Sequence, residues 1–152
     1  MEPRTVKESS TVVSQLMLPS DANTTGNVHG GTIMKLVDTV GGVVAMRHSR
    51  QRVVTARMDE MSFLHPVHVG DLVTFKSSMN DVGRTSMEVG VRVESENLRT
   101  GKVVHTSSAY LVYVALDPEG RPAEVPALIA ETEDEKRRME AAKLRRKRRE
   151  RR

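Results

Sequence analysis

The chain contains no cysteine, which excludes disulfides, thiolate nucleophiles and cysteine-based zinc sites and leaves histidine and carboxylates to carry any chemistry. Aromatic residues make up only 3% of it, too few for the stacking platforms that grip single-stranded nucleic acid, so no nucleic acid partner is expected. No apolar run of signal-peptide length follows MEPRTVKESS, and none approaches the roughly 18 residues that cross a bilayer. A cytoplasmic protein is the expectation. At 152 residues the chain is sized for one domain with a buried core.

Charge is present but unevenly placed. The last ten residues, KLRRKRRERR, hold eight basic side chains against Glu150, a net of +7 within a total of +4. The remainder is therefore −3, and the basicity belongs to an appendage. The longer segment ETEDEKRRMEAAKLRRKRRERR is acidic first and basic last, the polarity that suits a helix dipole. Residues 131–152 are read as a charged, solvated helix that frays. As a functional element it would meet the phosphates of a small-molecule ligand, acidic membrane lipid or nucleic acid, and composition does not separate these.

Between a disordered start at residues 1–10 and this tail, residues 11–130 form one organised unit. TVVSQLMLP has strand propensity and stops at Pro19, and the polar run from Ser20 to Gly26 is a loop. The period then changes, with Ile33, Val37, Val40 and Val44 at helical spacing from Thr32 to about His48. Four strand-like runs follow: RVVTARMDEMSFL, DLVTFKSSMN, TSMEVGVRVESEN and KVVHTSSAYLVYVAL. NDVGR and NLRTG are turn-rich breaks that make the last three an antiparallel meander. In MEVGVRV, Met87, Val89, Val91 and Val93 point one way and Glu88, Arg92 and Glu94 the other. The expected class is α+β, a curved antiparallel sheet wrapped around one central helix.

LPSDANTTGNVHGGTIMKLVDTVGG, followed by RMDEMSFLHPVHVGD, resembles the hotdog-fold acyl-CoA thioesterases, specifically the cytosolic acyl-CoA hydrolase group. The likeness runs from about Thr11 to Pro126. It implies a hotdog fold, hydrolysis of acyl-CoA to free acid and coenzyme A without metal or cofactor, and a homo-oligomer in which dimers assemble into hexamers. The family's catalytic asparagine and acidic residue map onto Asn23 and Asp38, and Arg57 falls near the coenzyme A groove. Some members fuse two hotdog domains where this chain has one, and the basic tail is unusual.

Thioester hydrolysis needs a positioned water, a base for its proton and donors for the oxyanion. Asp38, set among Val37, Val40, Gly41 and Gly42, is the candidate base, or else a nucleophile giving an anhydride; its plain alternative is a surface aspartate on the polar face of a helix. Gly30 and Gly31 stand where the helix begins, so backbone N–H groups and the dipole face whatever lies in front, unless the glycines serve only the turn into the helix. Asn23 can donate to the carbonyl or orient the water, or be an ordinary turn residue. His29 is read as a packing or orienting residue. Gly41 and Gly42 leave room beside Asp38 for an acyl chain or a neighbouring helix. Arg84, Thr85 and Ser86 in the turn GRTS offer a guanidinium and two hydroxyls to a phosphate, though an exposed hairpin tip reads the same way. His65 and His68 lack a third ligand, so no metal site is expected. Chain-length preference would rest on Met34, Met46 and Met61.

Asp38 lies seven residues after Gly31, a rise of roughly 10.5 Å along the helix. Reacting groups must stand within about 3 Å of the reacting atoms, so the base and the oxyanion donors are expected on different subunits of a dimer with shared active sites. An enoyl-CoA hydratase on the same fold and a non-enzymatic acyl-CoA sensor are the alternatives.

Overall fold

The computed structural model describes residues 1–151, Glu60 through its backbone alone. Burial is set by the helical stripe. Ile33, Val37, Val40 and Val44 lie on one face of a 20-residue helix, and each is buried. In chain order the elements are β1 (Arg4–Thr5), α1 (Val6–Ser9), β2 (Thr11–Leu16), a 3-10 turn (Pro19–Asp21) and α2 (Gly30–Ser49). Then come β3 (Arg52–Phe63), β4 (Leu72–Val82), β5 (Ser86–Glu96), β6 (Val103–Leu116), β7 (Leu128–Ile129) and α3 (Glu133–Glu150).

Five strands form one antiparallel sheet in the order β2-β4-β5-β6-β3, with β4-β5-β6 as the meander that the turn signals indicate. Phe75 and Met79 from β4, Met87, Val89, Val91 and Val93 from β5, and Leu111 and Tyr113 from β6 face inward and share one core with α2. Among the described residues no helix is long and apolar enough to cross a membrane. β3 is an edge strand twelve residues long, paired only with β6 in the described chain. A strand of that length with a free edge is a ready template for a second chain.

Both ends depart from the expectation. Residues 1–10 are ordered: β1 pairs in parallel with β7, and Val6 is buried. The guanidinium of Arg47 on α2 donates to the carbonyls of Glu8 and Ser10 and to the Thr11 hydroxyl, which fixes the segment on the helix. The tail is helical, but it is docked rather than solvated. Thr132 and Glu135 form a reciprocal capping box at its start. Ala142 then packs against the outer face of the sheet, Arg145 makes a two-pronged contact with Glu88, Arg146 pairs with Asp81, and Arg149 reaches Asp59 and Glu88. Composition shows the cations but not the carboxylates that oppose them, because Glu88 reads as a solvent-facing strand residue until α3 covers it.

Glu88 is 3% exposed and sits against Arg145 and Arg149. Removing one partner of a buried pair strands the other charges, at a cost of about 3 kcal/mol when they cannot reach water. Glu88→Ala should lower unfolding stability by roughly 2–3 kcal/mol, less than the maximum because the arginines can swing outward, and should speed amide exchange along α3. Unchanged stability and exchange would show that the tail is not held by these pairs.

Candidate active site

A cavity of about 380 Å³ opens at the start of α2, lined by Asn23, Val28, Gly30, Ile33, Phe63 and His65 among others. The loop that frames it is folded tightly. The Asn23 side-chain oxygen accepts from the Thr25 amide at 3.0 Å, the Thr25 hydroxyl at 2.6 Å and the Asn27 amide at 3.2 Å. Gly26 closes this turn at φ 85°, a conformation that favours glycine. Since the oxygen is consumed by the turn, the NH2 of Asn23 is the group left to face the cavity.

His29 holds the N-cap position of α2, but no side chain caps the helix. The amides of Gly30 and Gly31 are in the first turn, where no intrahelical acceptor exists. Neither glycine has a positive φ, so the entry into the helix does not require glycine. A methyl group on Gly30 would meet the Phe63 ring at 3.4 Å, whereas one on Gly31 would meet nothing within 4 Å. The absence of a side chain at Gly31 therefore leaves space in front of the helix.

Asp38 is elsewhere. It is half-buried, does not line the cavity, and is held by two hydroxyls. Thr55 on β3 donates to its carboxylate at 2.8 Å, and Tyr113 on β6 donates to its backbone carbonyl at 2.8 Å and its carboxylate at 3.0 Å. Burial, together with the neighbouring carboxylate, pushes the Tyr113 phenol far above its ordinary range, so it stays protonated and remains a donor. The room beside Asp38 has an occupant: a methyl group on Gly41 would meet the Tyr113 hydroxyl at 2.5 Å. The space at Gly41 is taken by tyrosine, not by an acyl chain. Met34 and Met46 are exposed on α2, and Met61 packs against the core.

The remaining candidates are dispersed. Arg57 turns its Nε toward Asp59 at 3.0 Å, and Asp59 also receives Arg149. Arg84 is largely exposed beside Glu124, while the carbonyls of Arg84 and Thr85 accept from Val125 and Ala115. Arg84, Thr85 and Ser86 do not line the cavity at Asn23. Among the described residues no cluster of His, Asp and Glu could hold a metal ion. Sequence reading missed Thr55, Tyr113 and Phe63. Tyr113 was legible in principle, since it shares the alternation of Leu111 and Ala115 and must point at the helix.

The family model for the thioesterase superfamily matches residues 25–102. The chain belongs to that superfamily. Its sheet around a central helix is the hotdog arrangement, as the resemblance implied. A crystal structure of an apo-hexameric acyl-CoA thioesterase superposes with a TM-score of 0.95 at 38% identity, covering 99% of this chain and 97% of the other. An acyl-CoA hydrolase from Staphylococcus aureus, solved with butyryl coenzyme A, coenzyme A and coenzyme A disulfide, superposes at 0.90 with 33% identity over 97% and 90% of the two chains. That enzyme has also been solved as three separate variants, with alanine replacing an aspartate, an asparagine or a threonine. The rat cytosolic acyl coenzyme A thioester hydrolase is 40% identical over 93% of this chain, which spans only 38% of that protein's length.

Gly31→Ala tests the space in front of the helix of this superfamily member. Alanine fits within the chain and favours the helix, so stability should rise by up to about 1 kcal/mol. If the start of α2 receives the substrate, as proposed below, turnover should nevertheless fall at least tenfold, because the methyl group would occupy the approach to the amides. A stable variant with full turnover would remove Gly31 from the site.

Proposed function

We propose that the protein hydrolyses fatty acyl-CoA to free acid and coenzyme A, with Asp38 as the base and with Asn23 and the start of α2 receiving the thioester carbonyl. The single observation that carries this reading is the pairing of an uncapped helix start beside a free asparagine NH2 with a carboxylate fixed by two hydroxyls. The S. aureus hydrolase supports it. Its replaced asparagine, aspartate and threonine are 15 and 17 positions apart, the separations of Asn23, Asp38 and Thr55 here.

In the proposed reaction the carbonyl oxygen lies between the Gly31 amide and the Asn23 NH2, which stabilise the negative charge that develops there. Asp38 takes a proton from water as the water attacks, and the tetrahedral intermediate collapses with loss of the coenzyme A thiolate, which is protonated on release. Because Asp38 lies about two helical turns from Gly31, it serves the cavity of a second copy. The free edge of β3, with Val54, Phe63 and Leu64 exposed along it and beyond its end, supports pairing of two chains there. The match to a hexameric thioesterase supports a trimer of such dimers. His29, Gly30, Arg57 and the Arg84–Ser86 turn are proposed as contacts to the substrate. The cytosolic designation of the rat relative supports a cytoplasmic setting. Any contact with acidic lipid falls to Lys147, Arg148 and Arg151, which stay exposed on α3 and just beyond its end.

Asp38→Asn keeps the size of the side chain and abolishes its basicity. Thiol release from acyl-CoA should fall at least about a hundredfold in a folded protein, the usual scale for loss of a general base. Near-normal release would sink the role of Asp38, and hydration of enoyl-CoA in place of thiol release by the unaltered protein would overturn the reaction itself.

A further inference from the structure

A second cavity, of about 610 Å³, lies apart from the one at Asn23. It lies on the outer face of the sheet, under the N-terminal half of α3. Its lining includes Lys76 and Arg92 from the sheet and Arg137, Arg138 and Arg145 from the helix. No carboxylate is among its lining residues. Five cations thus border one space, and the carboxylates that pair with four of them stand outside it.

The strand register builds the floor. Lys76 stands opposite Arg92, and Arg92 opposite Ser108; one step along the strands, Ser78 stands opposite Gly90, and Gly90 opposite Tyr110. Ser78, Gly90 and Ser108 thus make a low floor, with cations at one side and α3 above. A methyl group on Gly90 would come within 2.9 Å of Asn80 Nδ2 and displace that amide, so the glycine leaves it room. Asn80, Ser10, Ser78 and Ser108 add amide and hydroxyl groups to the lining, the Ser108 hydroxyl bonded to His105 at 2.7 Å.

Carboxylates hold the cations in place from outside the cavity. Glu94 receives Lys76 at 2.9 Å and Arg92 at 3.0 Å, Asp134 receives Arg137 at 3.1 Å, and Glu88 receives Arg145 at 2.9 Å. The hydrogen bonds from Lys76 and Arg92 hold the Glu94 carboxyl below its usual range, so it stays ionised. One carboxylate is thus shared by two cations, and Arg138 forms no ion pair among the described residues. The cavity keeps a positive excess. Arg145 also lies over the Tyr110 ring at 3.7 Å, which stiffens that wall.

We propose that this cleft binds a small phosphate-bearing organic anion, at a site separate from the one where the thioester is hydrolysed. Guanidinium groups arriving from two directions suit the several oxygens of a phosphate better than a single carboxylate. The cleft is in the size range of small-molecule sites and larger than inorganic phosphate needs, so an organic part lies on the Ser78–Gly90–Ser108 floor. The phosphate could belong to the coenzyme A head group or to a different metabolite. The proposal does not depend on the acyl-CoA reading, because it is tested by binding.

The test is calorimetric titration of the full chain with adenosine diphosphate and inorganic pyrophosphate, with adenosine as the uncharged control. Both anions should bind saturably at one site per chain, more weakly as salt rises, and adenosine should not. Lys76→Gln with Arg138→Gln should weaken binding at least tenfold, while Asp38→Asn should leave it unchanged. Arg138→Gln alone, at an exposed residue, keeps the test available if the double variant does not fold, and should still weaken binding severalfold. Displacement of the bound anion by coenzyme A assigns the site to that head group, and its absence assigns the site to another phosphate compound. No binding, equal binding by the variants, or equal binding of adenosine would overturn the proposal.

Discussion

One buried hydroxyl organises the centre of the molecule. Tyr113 donates to both the carbonyl and the carboxylate of Asp38, and so fastens the middle of α2 to β6 at the point where the helix bears its only candidate base. A group of this kind cannot sit unpaired in a core without a cost of about 1–3 kcal/mol, so it fixes the rotation of the helix as well as the direction of the side chain. Gly41 follows from it, since any larger residue would meet the phenol. Thr55 then holds the same carboxylate from the edge strand. The carboxylate is held by three elements at once.

That fixing has a consequence for the site. Asn23, Gly30 and Phe63 surround one cavity, and Asp38 does not line it. A fixed carboxylate about two turns along a straight helix cannot swing to the helix start, so a complete site is proposed to need two chains. The long free edge of β3 carries Thr55 and runs beside Asp38, which is where a second chain would join. The same chain ends that looked dispensable add order elsewhere. Residues 4–10 brace the C-terminal end of α2 through Arg47, and α3 covers the outer face of the sheet.

Much of this is legible in the sequence because local rules and tertiary packing agree. The 3.6-residue stripe from Ile33 to Val44 and the alternation from Met87 to Val93 identify a helix and a strand whose buried faces meet. The turn chemistry of Asn23 and Gly26 is equally local. What was not legible depends on pairs distant in sequence. Glu88 and Arg145 are 57 positions apart, and Tyr113 and Asp38 are 75 apart. Each residue alone reads as a surface charge or a core aromatic, and only the sheet brings the partners together. The space at Gly41 was visible, but its occupant lies on another strand.

The central claim, that each site draws its donors from one chain and its base from another, is tested most directly by complementation. Asn23→Ala and Asp38→Ala proteins, each nearly inactive, are unfolded, mixed in equal amounts and refolded together. A mixed dimer carries one doubly altered site and one intact site, so with random pairing about half of the dimers are mixed and roughly a quarter of the unaltered activity should return. Activity that stays at the level of the single variants, with mixed dimers shown to be present, would contradict a site shared between chains.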